Sequence, residues 1–134
     1  MNASLTLYID SNYVSPYAMW AFVALREKRL SFAVQPVDLA ARQHHDAAFG
    51  NRFLTGKVPA LVHGEFALAE SSAIIEYLEE THPEPPLLPK EAAARARVRA
   101  LALDIACEIH PLNNLRVLRY LVKDMKVGED DKNR

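Results

Sequence analysis

The stretch Glu70-Ser71-Ser72-Ala73-Ile74-Ile75-Glu76-Tyr77-Leu78 sets an acid and two serines directly before an apolar helical pattern. The first N–H groups of a helix have no internal partner and lie at the positive end of its dipole. With the Ser71 hydroxyl they suit a carboxylate. Glu70, one residue earlier, suits an ammonium group. An anion site beside a cation site fits the amino-acid end of a small ligand. Plain N-capping by serine is the competing reading of the same residues. Ser15-Pro16 puts another hydroxyl at a helix start, with proline at the first helical position, where its missing N–H costs nothing. Tyr8 and Tyr13 are competing hydroxyls, and Asn12 is a weaker amide donor.

Other chemistry is thin. His44-His45-Asp46 has metal-ligand types but no further ligands around it, so a solvated loop is the better reading and no metal is expected. Cys107, the single cysteine, excludes an internal disulfide framework and a multi-cysteine zinc site, and inside a helical pattern it reads as an inert thiol. Lys90, Arg95, Arg97 and Arg99 read as a solvated face, and no glycine-rich phosphate loop occurs. The chain has 134 residues, 50% hydrophobic and 25% charged, enough for a real core. Sixteen Lys and Arg against seventeen Asp and Glu give no pull toward nucleic acid or acidic membranes. The apolar run from Tyr17 to Leu25 is too short to cross a bilayer, and no targeting segment is recognised, so a cytoplasmic location is expected.

The elements that must position these residues follow from periodicity. Leu5 to Ile9 alternates and is rich in strand formers. A helix runs from Ser15-Pro16 to about Lys28, apolar nearly all round. Ser31 to Val37 reads as a second strand, and a short helix is expected around Asp46 to Phe53. Residues 60–62 and 65–68 flank His63-Gly64, a hairpin signal. Ser71 or Ser72 then caps a helix running to about Thr81. The order βαβ-α-ββα, with a right-handed crossover, predicts an α/β domain of the thioredoxin-like arrangement over residues 1–81. In such a fold the proline of Val58-Pro59-Ala60 is cis, which frees the Val58 backbone to pair with an extended thiol peptide. Residues 82–90 are a proline-rich linker. Residues 91–134 start an all-α domain: Leu101, Ile105, Ile109, Leu112, Leu115, Leu118, Val122 and Met125 recur at helical steps. Pro111 should kink this long helix, and its stripe needs a covering partner. The charged tail 128–134 is expected to fray.

Ser15-Pro16-Tyr17, Val58-Pro59-Ala60 and Glu70 to Leu78, in this order and spacing, resemble the glutathione S-transferase superfamily. The resemblance covers nearly all of residues 4–125. It implies that glutathione is bound, with Glu70 and Ser71 at its γ-glutamyl end and Val58, next to cis Pro59 and beside Lys57, at its cysteinyl part. It implies that Ser15 activates the thiol for attack on a small electrophile. A hydroxyl donor at a helix N-terminus favours thiolate over thiol, because hydrogen bond and dipole act together.

Residues 109–121 resemble the first long helix of the C-terminal domain of zeta-class transferases, which include maleylacetoacetate and maleylpyruvate isomerases. The family resemblance implies a homodimer, and the candidates facing the electrophile are Tyr17, His110 and Asn114; Arg116 and Arg119 offer further polar contacts or are ordinary solvated helix charges. The class carries a Ser-Ser-Cys-type motif and then arginines on its first helix. This chain has Ser15-Pro16-Tyr17, then Trp20 and Phe22. Transferase is therefore the leading expectation. Cis–trans isomerase is one alternative, and a non-catalytic glutathione-binding module the other, because the helical domain is short.

Overall fold

A computed structural model describes residues 4–53, 55–128 and 131. They form two compact units, Met1–Leu88 and Pro89–Arg134.

The first unit runs β1 (Leu5–Asp10), α1 (Pro16–Glu27), β2 (Phe32–Val37), a single 3-10 turn (Gln43–His45), α2 (Ala47–Gly50), β3 (Ala60–His63), β4 (Phe66–Ala69) and α3 (Ser71–Thr81). The four strands order as β2-β1-β3-β4, with β1 and β2 parallel and the other pairs antiparallel. Strand side chains alternate between faces, and the core divides accordingly. Leu5, Leu7 and Ile9 join Leu61 against Ala18, Ala21 and Leu25 of α1 and Ile74 and Leu78 of α3. On the opposite face Ala60 and Val62 pack with Val37, Phe49 and Phe53, and Tyr8 lies against them. Helix α1 buries one stripe rather than its whole circumference: Ala18, Ala21, Ala24 and Leu25 are buried, while Val23 is 49% exposed. Met19, Trp20 and Val23 line, with Ile75 and Leu87, an apolar hollow of about 330 Å³.

At the far end of α1 a lysine is buried. Lys28 is 2% exposed, and its Nζ lies 2.6 Å from Glu79 Oε2 on α3. The same ammonium donates to the carbonyls of His82 (2.7 Å) and Pro85 (3.1 Å). The Glu79 carboxylate also accepts from the N–H groups of Leu87 and Leu88. Burial pushes the Glu79 carboxyl up. The bonds from Lys28, Leu87 and Leu88 outweigh that push and hold it below the ordinary value. Residues 82–88, part of the segment read as a linker, are thus tied down onto α1 and α3. A second cis proline, Glu84–Pro85, lies within them.

The second unit holds α4 (Ala92–Leu103), a π-helical stretch (Asp104–Ile109) and α5 (Leu115–Lys123). The expected single kinked helix is broken over residues 110–114. Pro111 has no N–H to continue the ladder, and the Asn114 side chain accepts from Arg116 N–H at 2.9 Å, starting a new helix. No described residue of this unit is buried, and Leu101 and Leu112 are 63% and 70% exposed. Of the tail expected to fray, only Gly128 and Asp131 fall within the described residues.

Candidate functional site

Strand register gathers three chain segments at one end of the sheet. Tyr8 pairs with Ala60, and Ala60 with Ala69. The ends of β1 and β4 and the start of β3 therefore share one end of the sheet, with Val58–Pro59 leading into β3 and Glu70–Ser71 following β4.

Asp10 closes β1 with a carboxylate that is 3% exposed. Its Oδ2 accepts from Val14 N–H at 2.8 Å and its Oδ1 from Ser15 N–H at 3.2 Å. A buried charge of this kind is tolerated because it is hydrogen-bonded, and it fixes the loop that delivers Ser15. In the sequence, Asp10-Ser11-Asn12 reads only as turn chemistry. The signal that could have revealed more is an acid at the end of an otherwise apolar strand.

Ser15 is the N-cap of α1, and its Oγ accepts from Ala18 N–H at 3.3 Å. A hydroxyl has one donor and two acceptor positions. Capping uses an acceptor position, so the proton remains to be donated at the helix N-terminus. Capping and thiolate stabilisation are therefore compatible roles. Tyr17 is half-buried in the first turn of the same helix. Of the competing hydroxyls, Tyr8 belongs to the opposite sheet face, edge-on to Phe49 and Phe53 with its OH 3.4 Å from Arg52. Tyr13 is 53% exposed in a left-handed turn.

The Val58–Pro59 peptide is cis, as the sequence led us to expect, and β3 begins only at Ala60. At the start of α3 the expected serine cap is absent. Glu70 occupies the N-cap position with φ 75° and makes no side-chain cap bond, and Ser71 is the first helical residue, 5% exposed. The first helical bond runs from Ile74 N–H to the Glu70 carbonyl. The Glu70 side chain does not reach back to cap the helix; its carboxylate is turned outward, 63% exposed, with Lys57 Nζ at 4.0 Å. A pair this open adds little stability. His110 and Asn114 belong to the second unit, where Asn114 caps α5.

Residues 11–86 match the family model described as the glutathione S-transferase N-terminal domain. The chain is 46% identical over 133 residues to a probable maleylacetoacetate isomerase of Vibrio cholerae, covering 97% of this chain and 61% of that protein. It is 44% identical to a maleylpyruvate isomerase of a Ralstonia species, over 80% of this chain and 50% of that one. A holo structure of maleylpyruvate isomerase, described as a bacterial zeta-class transferase, superposes with a TM-score of 0.86 at 40% identity, over 96% of this chain and 59% of that one. A maleylacetoacetate isomerase of Methylobacterium extorquens with bound malonate and glutathione gives 0.83 at 36% identity, over 95% and 59%. The chain thus spans between half and about three fifths of the length of these relatives. It belongs to the glutathione S-transferase N-terminal domain family.

Proposed function

We propose that the first unit binds glutathione at this end of the sheet and that Ser15 stabilises its sulfur as thiolate for attack on a small electrophile. The donor set fits such a ligand. An outward carboxylate, Glu70, suits the ammonium group. The start of α3, which the Glu70 side chain does not cap, and Ser71 suit the neighbouring carboxylate. The Val58 backbone, before the β3 ladder begins, suits the cysteinyl part, and Lys57 adds positive charge. Bound glutathione supplies the nucleophilic sulfur. A free thiol of this type has a pKa of about 8.5, so little of it is ionised at neutral pH. Lowering that value by one unit raises the thiolate population roughly tenfold. The observation that carries this reading is the Ser15 hydroxyl held as an acceptor at the N-terminus of α1, which leaves its donor position compatible with binding a thiolate.

Tyr17, His110 and Asn114 complete the proposal as the electrophile-facing residues, and a cytoplasmic homodimer is the form we assign to the enzyme. Cis–trans isomerisation through reversible thiol addition is the second reading, favoured by the similarity to two isomerases. A doubly anionic substrate needs cations, and α1 carries Trp20 and Phe22 where the class carries arginines, its own Arg26 lying in the last turn.

Titration of the protein with glutathione, read by thiolate absorbance near neutral pH, tests the proposal. Ser15→Ala should lower thiolate signal and turnover much more than affinity, and equal loss in both would disprove the activating role. Ser71→Ala should raise the dissociation constant several-fold, the scale of one charge-assisted hydrogen bond. Binding without turnover of either a chlorinated aromatic or a maleyl substrate would leave only the binding module.

A further inference from the structure

The opposite end of the sheet carries a histidine pair that the proposed function does not use. His63 closes β3, where it pairs with Leu5 and Phe66, and His82 follows α3 directly. Their ring centres lie 5.7 Å apart with planes tilted by 41°. Both rings are held by hydroxyls through the same nitrogen type. His82 Nδ1 is 2.9 Å from Thr81 Oγ1, and His63 Nδ1 is 2.8 Å from the Tyr77 hydroxyl.

The hydrogen-bond accounting fixes one tautomer. Thr81 Oγ1 donates its only proton to the Tyr77 carbonyl at 2.7 Å. Toward His82 it can therefore only accept, so Nδ1 carries the hydrogen and Nε2 keeps its lone pair in the neutral ring. The Tyr77 hydroxyl can accept from His63 Nδ1 by rotation about its C–O bond, leaving the same nitrogen of that ring as the ligand. Metal-ligating histidines use this arrangement, in which the second nitrogen is anchored and the ring is aimed. Imidazoles sharing one ion at metal–nitrogen distances of about 2.0–2.1 Å have ring centres on the order of 5–6 Å apart. The nearby Lys28 ammonium is neutralised by Glu79 at 2.6 Å.

We infer that His63 and His82 form a two-histidine site for a borderline divalent transition metal, Cu2+, Ni2+ or Zn2+, with water in its other positions. Thr81 and Tyr77 are its positioning residues. A bound ion would link β3 to the end of α3. His44 and His45 form no such site, because their rings lie only 4.0 Å apart on consecutive residues.

Titration of the untagged full chain with Zn2+ by calorimetry, and Cu2+ paramagnetic resonance, test this directly. One saturable site is expected, with two imidazole nitrogens on Cu2+. His63→Gln and His82→Gln should each weaken binding at least about tenfold and leave one nitrogen. Thr81→Val should weaken it while keeping the stoichiometry, and His44→Gln with His45→Gln should change nothing. No saturation at millimolar metal, wild-type affinity in His82→Gln, or loss of the site in the His44/His45 variant would each overturn it. If His63→Gln or His82→Gln fails to fold, the nitrogen count on Cu2+ in the His44→Gln/His45→Gln variant decides: two supports the site, fewer overturns it.

Discussion

The two ends of the first unit treat polar groups in opposite ways. At the Lys28 end, one ammonium and one carboxylate satisfy two carbonyls and two N–H groups, and the ion pair is almost sealed from water. At the Ser15 end, the N-cap residue of α3 makes no side-chain cap bond, the Glu70 carboxylate faces solvent, and the Ser15 hydroxyl accepts from Ala18 N–H. One end uses its charges to hold the chain together. The other leaves them available, and the buried Asp10 anchors its Ser15 loop. The difference predicts which substitutions damage stability and which damage binding.

The largest effect should come from Glu79→Ala, which leaves Lys28 buried without its counter-charge. Loss of one partner of a buried pair costs about 3–5 kcal/mol, read as a fall in urea midpoint. A loss below about 1 kcal/mol would erase the contrast between the ends. Lys28→Met combined with Glu79→Leu should recover much of the loss. The same pair predicts acid sensitivity. The folded Glu79 carboxyl lies below its ordinary value of 4.5, so its contribution is complete above that value and is lost as pH falls through the lower, folded one. Glu79→Gln should flatten that acid limb.

Next comes Asp10→Ala, which deprives Val14 and Ser15 of their acceptor. Bonds to a charged group are worth about 1.5–3 kcal/mol, and glutathione affinity should fall with stability because the Ser15 loop loosens. Unchanged binding in a destabilised variant would show that the loop is held by other means. Ser15→Ala should cost only about 1 kcal/mol of stability, the usual worth of an N-cap, and its main effect should be on thiolate. A stability loss as large as that of Glu79→Ala would make Ser15 a structural residue.

Much of this unit was legible in the residues. Alternation in Leu5 to Ile9, the His63-Gly64 turn and Ser15-Pro16 are local signals, and the elements follow them within a residue or two. The ion pair was not legible, because Lys28 and Glu79 are far apart in sequence and nothing local marks either as buried. The start of α3 misled for a related reason. Two consecutive serines have the composition of a cap, but the backbone turns one residue earlier, at Glu70, and draws Ser71 into the first turn. In the second unit the helical periodicity was correct but continuity was not. Pro111 signalled a weakened ladder, and the capping by Asn114 that turns a kink into a break depends on the local backbone path. The roles proposed for Lys57, Val58, Pro59, Glu70 and Ser71 come from the resemblance, because no local pattern in those residues names a ligand.

Glu70 holds a φ of 75°, a region where a side chain is strained by about 1–3 kcal/mol and glycine is not. A chain optimised only for endurance would carry glycine there. Even after the extra freedom glycine brings to the unfolded state, Glu70→Gly should raise the melting temperature, by the equivalent of about 1 kcal/mol. The same variant should hold glutathione more weakly. A more heat-resistant protein that has lost its grip on the ligand would identify position 70 as a place where durability is traded for recognition.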